Sequence, residues 1–163
     1  MEPLRIYLQD RLASATGVVE LAKRSYGSNR GSAFGPGLAA VQQQAIDERT
    51  ALLDVMRRLD VAPDRFKVGA AWAAEKAGRL KLNGRMRGYS PLSRVVELEG
   101  LTLLLTAQRQ LWETLALVLT GDARAEGFDA AGHAARAGEA LERLADLHRR
   151  AVEVAFAQPA PAT

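Results

Sequence analysis

Apolar residues recur at alternating steps of three and four along four stretches of the chain, the spacing of a single helix face. The first predicted helix covers residues 3–26, with the stripe Leu4, Leu8, Leu12, Ala15, Val19, Ala22 and Tyr26. The second covers residues 34–60, with Leu38, Val41, Ala45, Leu52, Met56 and Leu59; its stripe has a gap at one turn, filled by Glu48 and Arg49. The third covers residues 91–120, with an unbroken run of Leu98, Leu101, Leu105, Gln108, Trp112, Leu115 and Leu119. The fourth covers residues 128–156, with the stripe Ala134, Gly138, Leu141, Ala145, His148, Val152 and Ala155.

Local signals support these limits. Pro3 suits a first helical turn, and Ser90 followed by Pro91 reads as a cap with proline at the first position. Gly121 closes the third helix and Asp129 lies near the start of the fourth. Residues 27–37 are rich in glycine, serine and proline, which predicts a break. No segment has the period of a core strand, so the expected fold is all-α, a four-helix bundle within a single domain at 1–157. The first and second helices, and the third and fourth, have short connections, so each pair is expected to run antiparallel. The connection between the second and third is long. It predicts an extra short helix at 63–79, with Phe66, Ala70, Ala73 and Ala77 on one side and Trp72 beside them. Residues 79–89 follow, either as a hairpin turning at Asn83-Gly84 or as an extended strap. The tail at 158–163 carries two prolines and no packing residues, and is expected to be disordered.

Composition narrows the chemistry. The chain has 163 residues, no cysteine and two histidines, which excludes disulfides, thiolate metal sites and a three-histidine centre within one chain. Aromatics at 6% are sparse for a base-stacking module, and a net charge of +3 is too small for non-specific nucleic-acid binding. No secretory signal is read at the N-terminus, and the most apolar stretch carries Glu99, Gln108, Arg109, Gln110 and Glu113, so a soluble, cytoplasmic protein is expected.

Two tight helix pairs joined by a long crossover resemble the ferritin-like bundle, in architecture rather than in motif. In addition, Gly78-Arg-Leu-Lys-Leu-Asn-Gly-Arg85 followed by Gly88-Tyr-Ser-Pro-Leu-Ser-Arg94 resembles uncharacterised bacterial helical-bundle proteins, which bring no activity with them. The ferritin-like resemblance implies a di-iron site with Glu-x-x-His pairs. Here neither histidine fits: His133 follows Ala130 and His148 follows Ala145 at that spacing. Glu97, Glu99, Glu139 and Glu142 do not converge with a histidine by spacing either, so neither metal nor cofactor is expected.

Three features remain. Glu48, Arg49, Gln108 and His148 fall on or beside core stripes, and they read either as a polar layer fixing helix register or as the lining of a small ligand pocket. Lys76, Arg79, Lys81, Arg85, Arg87 and Arg94 form a cationic run with no acid between Glu75 and Glu97. It reads as a strap paired within the molecule or as a contact, through the connector 76–94, for an anion, a nucleic-acid backbone or an acidic partner or lipid surface. Finally, the third helix is apolar on its far side too, at Leu92, Val96, Leu103 and Leu117 with Thr106 between, which predicts a homodimer through this helix or cover by the connector. No nucleophile stands beside a base, so an enzyme is not expected. The expected function is association, with itself or a macromolecule.

Overall fold

The computed structural model describes residues 2–64 and 89–157. Four long helices account for nearly all of them: α1 (Glu2–Asn29), α2 (Gly35–Arg58), α3 (Pro91–Val118) and α4 (Ala130–Phe156). A 3₁₀ turn, Ala123–Ala125, lies between α3 and α4. The described residues contain no strand.

Four of the helix ends have a local cause. The Ser90 hydroxyl accepts a hydrogen bond from the Ser93 backbone at 3.1 Å, and Ser93 Oγ accepts one back from Ser90, which closes a capping box on α3. Asp129 caps α4 through the Gly132 N–H at 2.8 Å. Gly121, at φ +79°, supplies the left-handed residue that releases the chain after α3. α1 runs three residues past its predicted end. Asn29 explains the extension: it is buried, and its Nδ2 donates to the Ser25 carbonyl one turn back at 2.8 Å. The break therefore falls after Asn29, not at Gly27.

The helices run up, down, down, up. Arg94 at the start of α3 meets Asn29 at the end of α1, so these two helices are antiparallel. Trp112 stacks on His133 while Glu99 meets His148, so α3 and α4 are antiparallel as well. Every helix thus packs on two antiparallel neighbours: α1 on α2 and α3, α4 on α3 and α2, with the α3–α4 contact the most extensive. Between α2 and α4 the approach is close, since a Cβ on Gly37 would lie 2.9 Å from Leu147 Cδ2. Most of the extra helix predicted at 63–79 and of the hairpin or strap at 79–89 lies at the undescribed residues 65–88, and the tail at 158–163 also lies outside the described residues; Pro63, Asp64 and Tyr89, which are described, have no regular secondary structure.

The apolar core falls into two halves. One contains Val18, Leu38, Val41, Leu98, Leu101, Leu105, Leu144 and Leu147. The other contains Leu8, Leu12, Leu52, Val55, Met56, Leu111, Trp112 and Leu115. A fully buried leucine contributes roughly 2 kcal/mol through removal of its surface from water, so both halves drive folding. The predicted stripes of α2 and α3 match the buried residues. That of α4 does not: the buried set is Ala130, Ala137, Ala140, Leu144, Leu147 and Ala151, one residue earlier than predicted. Alanine is spread around much of this helix, so spacing alone fits two stripes. The bulk of Leu144 and Leu147 selects the one that faces the core.

Candidate functional site

A polar layer separates the two core halves, and every helix reaches it. Glu48 of α2 stands between Ala45 of one half and Leu52 of the other, and is 1% exposed. Its Oε2 lies 2.9 Å from His133 Nδ1, and its Oε1 lies 3.6 Å from Arg136 Nε, both on α4. The neighbouring Arg49 turns to α1 and donates from Nε to Thr16 Oγ1 at 3.2 Å. Gln108 of α3 occupies the same level between Leu105 and Leu111; it is buried, and among the described residues its Oε1 has no hydrogen-bond partner.

The His133 ring is fixed by aromatic packing. Its centroid lies 4.6 Å from the Trp112 ring and 5.4 Å from that of Phe128. Trp112 is wholly buried and its indole N–H also lacks a partner. The layer therefore contains one satisfied carboxylate–imidazole pair beside an unused acceptor and an unused donor. Buried polar groups left unpaired cost about 1–3 kcal/mol each.

Of the four residues predicted for a core pocket, the structure brings Glu48, Arg49 and Gln108 to one level. His148 does not join them. Its side chain is 34% exposed and its Nε2 lies 3.2 Å from Glu99 Oε1 on the outer flank of the α3–α4 pair. Fifteen residues of α4 separate it from His133, about 22 Å at ~1.5 Å per residue, too far to share a partner. The same geometry corrects the expectation for one of the four carboxylates read as not converging with a histidine, Glu99. Spacing within one helix says nothing about pairing across helices, and both histidines are matched across helices. His133 was legible on one condition. The stripe that contains Leu144 and Leu147 places His133 on the core face, in the register Ala130, His133, Ala137, Ala140.

A second polar cluster lies where the connector joins α3. Asn29 Nδ2 donates to Tyr89 Oη at 2.7 Å, and that hydroxyl donates to Glu97 Oε2 at 3.0 Å. Arg24 Nε donates to Glu97 Oε1 at 3.0 Å, and Arg94 Nε to Asn29 Oδ1 at 2.6 Å. The Arg94 guanidinium lies 4.1 Å over the Phe34 ring and 5.9 Å from that of Tyr89. Burial, with the Glu97 carboxylate adding to it against the Asn29 hydrogen bond, pushes the Tyr89 phenol up to about 12. Arg94, the last cation of the basic run, is thus held within the molecule. Lys76, Arg79, Lys81, Arg85 and Arg87 lie outside the described residues.

No protein-family model, curated protein or solved structure matches the chain. Among the described residues, no three His, Asp or Glu side chains converge as a metal site, and no helix is long and apolar enough to cross a membrane.

Proposed function

We propose that this protein is a non-enzymatic four-helix bundle of ferritin-like topology that works by association, joining a second copy of itself through the outer face of α3. The up-down-down-up order supports the topology, because it requires a long connection from the end of α2 to the start of α3. The observation that carries the association is the exposure of Leu103 at 72% and Leu117 at 79%, with Leu92 and Val118 also exposed on the same helix. Single exposed leucines are ordinary, but a row of them along one helix marks a contact surface. Light scattering at tens of micromolar tests the reading: a dimer is expected, and Leu103→Glu is expected to give a folded monomer.

A second reading is favoured by one feature, the unpartnered Gln108 Oε1 at the level of Glu48. It makes the layer a small-ligand pocket, or the remnant of a metal position. Elemental analysis and a thermal-shift screen test it; stoichiometric metal, or a ligand shift abolished by Gln108→Leu, would favour it over simple association. A third reading, an anion, nucleic-acid or acidic-partner contact through the basic run, rests on Lys76, Arg79, Lys81, Arg85 and Arg87 alone, because Arg94 is engaged within the molecule.

A further inference from the structure

The outer face of α3 carries its own register. Leu92, Val96, Glu99, Leu103, Thr106, Gln110, Glu113 and Leu117 follow one another at alternating steps of four and three, on the side of α3 opposite the buried Leu98, Leu101, Leu105 and Gln108. This is the spacing of a coiled-coil seam, repeated on the solvent side of a helix whose inner side already packs in the bundle.

The positions of the seam are symmetric about a point between Leu104 and Leu105, which pairs Leu92 with Leu117, Val96 with Glu113, Glu99 with Gln110 and Leu103 with Thr106. Leu92 and Leu117 lie at equal distances from it, about 38 Å apart in all at ~1.5 Å per residue. Leu103 and Thr106 flank it. Resting on the association reading above, we infer that the occupant of this face is the α3 of a second copy, antiparallel, with the two-fold axis at that central point. Each Leu92 then packs on the partner's Leu117, and the Leu103 side chains of the two copies meet near the axis, as a self-complementary two-fold contact requires.

Charge decides between this arrangement and a parallel one. A parallel in-register pair sets Glu99 against Glu99 and Glu113 against Glu113, placing like charges in layers of the seam. The antiparallel register sets Glu99 against the partner's Gln110. It also brings the partner's Arg109, which neighbours that Gln110 on the flank facing α4, to the same level as Glu99. Glu99 faces α4 too, through His148, so both charges lie on the same side of the two-fold. Arg109 is half exposed and pairs with Glu113 at 2.8 Å within its own helix, so each guanidinium would sit between two carboxylates, one from each copy. A seam ~10 Å wide buries on the order of 400 Å² per copy, about half the ~800 Å² that a stable interface uses. The dimer is accordingly weak, or completed by the flanks of α4, where Phe156 and Val154 are exposed.

Because the chain has no cysteine, single substitutions report the register cleanly. Leu92→Cys and Leu117→Cys proteins of different tag length are mixed at tens of micromolar and treated with a short bis-maleimide. The expected product is the mixed species, with neither variant cross-linking to itself. Self-cross-linking of Leu92→Cys alone, or no cross-link at all in a sample that light scattering shows to be dimeric, overturns the antiparallel register and leaves association standing. A wild-type monomer at the same concentration, or a dimer that survives Leu103→Glu with unchanged helical circular dichroism, overturns the association reading and the inference with it. Arg109→Glu is expected to weaken the dimer at least tenfold and the double swap with Glu99→Arg to restore it; failure of the swap to restore the dimer overturns the proposed charge pairing.

Discussion

The two polar clusters are built from similar residues and reach different outcomes. The cluster at the end of the bundle is nearly closed: Asn29 gives and accepts hydrogen bonds to Ser25, Tyr89 and Arg94, and Glu97 is held by Arg24 and Tyr89, while the buried Ser25 hydroxyl alone has no partner among the described residues. The mid-bundle layer is not closed, since Gln108 Oε1 and the Trp112 N–H are buried without partners. The end cluster draws on four segments, including the residue that precedes the α3 cap, and Arg24, Tyr89 and Glu97 reach partial solvent around the buried Asn29. The layer has only helix faces to draw on, and facing positions on rigid helices cannot be adjusted to complete every bond. A buried network that is partly satisfied specifies register at a cost in stability; a satisfied one anchors the chain.

The comparison can be broken most sharply at His133. Replacing it with alanine leaves Glu48 buried with only Arg136 at 3.6 Å and removes the ring stack, so a loss of about 3–4 kcal/mol is expected in chemical denaturation. Glu48→Leu removes the charge itself, and stability is expected to stay within about 1 kcal/mol of wild type. A large loss in that variant would show that the pair is a net stabiliser. At the bundle end, Asn29→Ala is expected to cost about 2 kcal/mol, because Arg94 and Tyr89 both lose a buried partner. Gln108→Leu should raise stability by about 1 kcal/mol, since it removes an acceptor that nothing satisfies. A fall instead would reveal a partner for that carbonyl, such as an ordered water.

Tyr89→Phe gives the smallest effect at neutral pH and the clearest one in alkali. The phenol loses its proton near 10 in an unfolded chain and at about 12 in the folded protein. The unfolded state therefore binds fewer protons between those values, and stability falls as pH rises from about 10 to 12. The phenylalanine variant is expected to lose that part of the slope, as measured by denaturation at stepped pH.

How far the sequence could be read depended on side-chain bulk. On α2 and α3, leucines, methionine and tryptophan mark one face, and the predicted stripes are the buried ones. Glu48 and Gln108 were visible as interruptions in them. On α4, alanines allow two stripes, and the choice between them displaced His133 from view and put His148 in its place. Asn29 was hidden inside a stretch whose glycines and serines read as a loop. Nothing local signals that this asparagine is buried, because its partners Tyr89 and Arg94 come from the far side of the connector.

The four helices, their capping residues and the presence of polar positions in the core were determined by the sequence alone, since periodicity and capping act over a few residues. Only the tertiary structure decided which histidine meets which glutamate, that the core divides into two halves around Glu48, and that Arg94 is sequestered between Phe34 and Tyr89. Those outcomes depend on how one helix is rotated against another, and a rotation of one residue, about 100°, exchanges a buried partner for an exposed one.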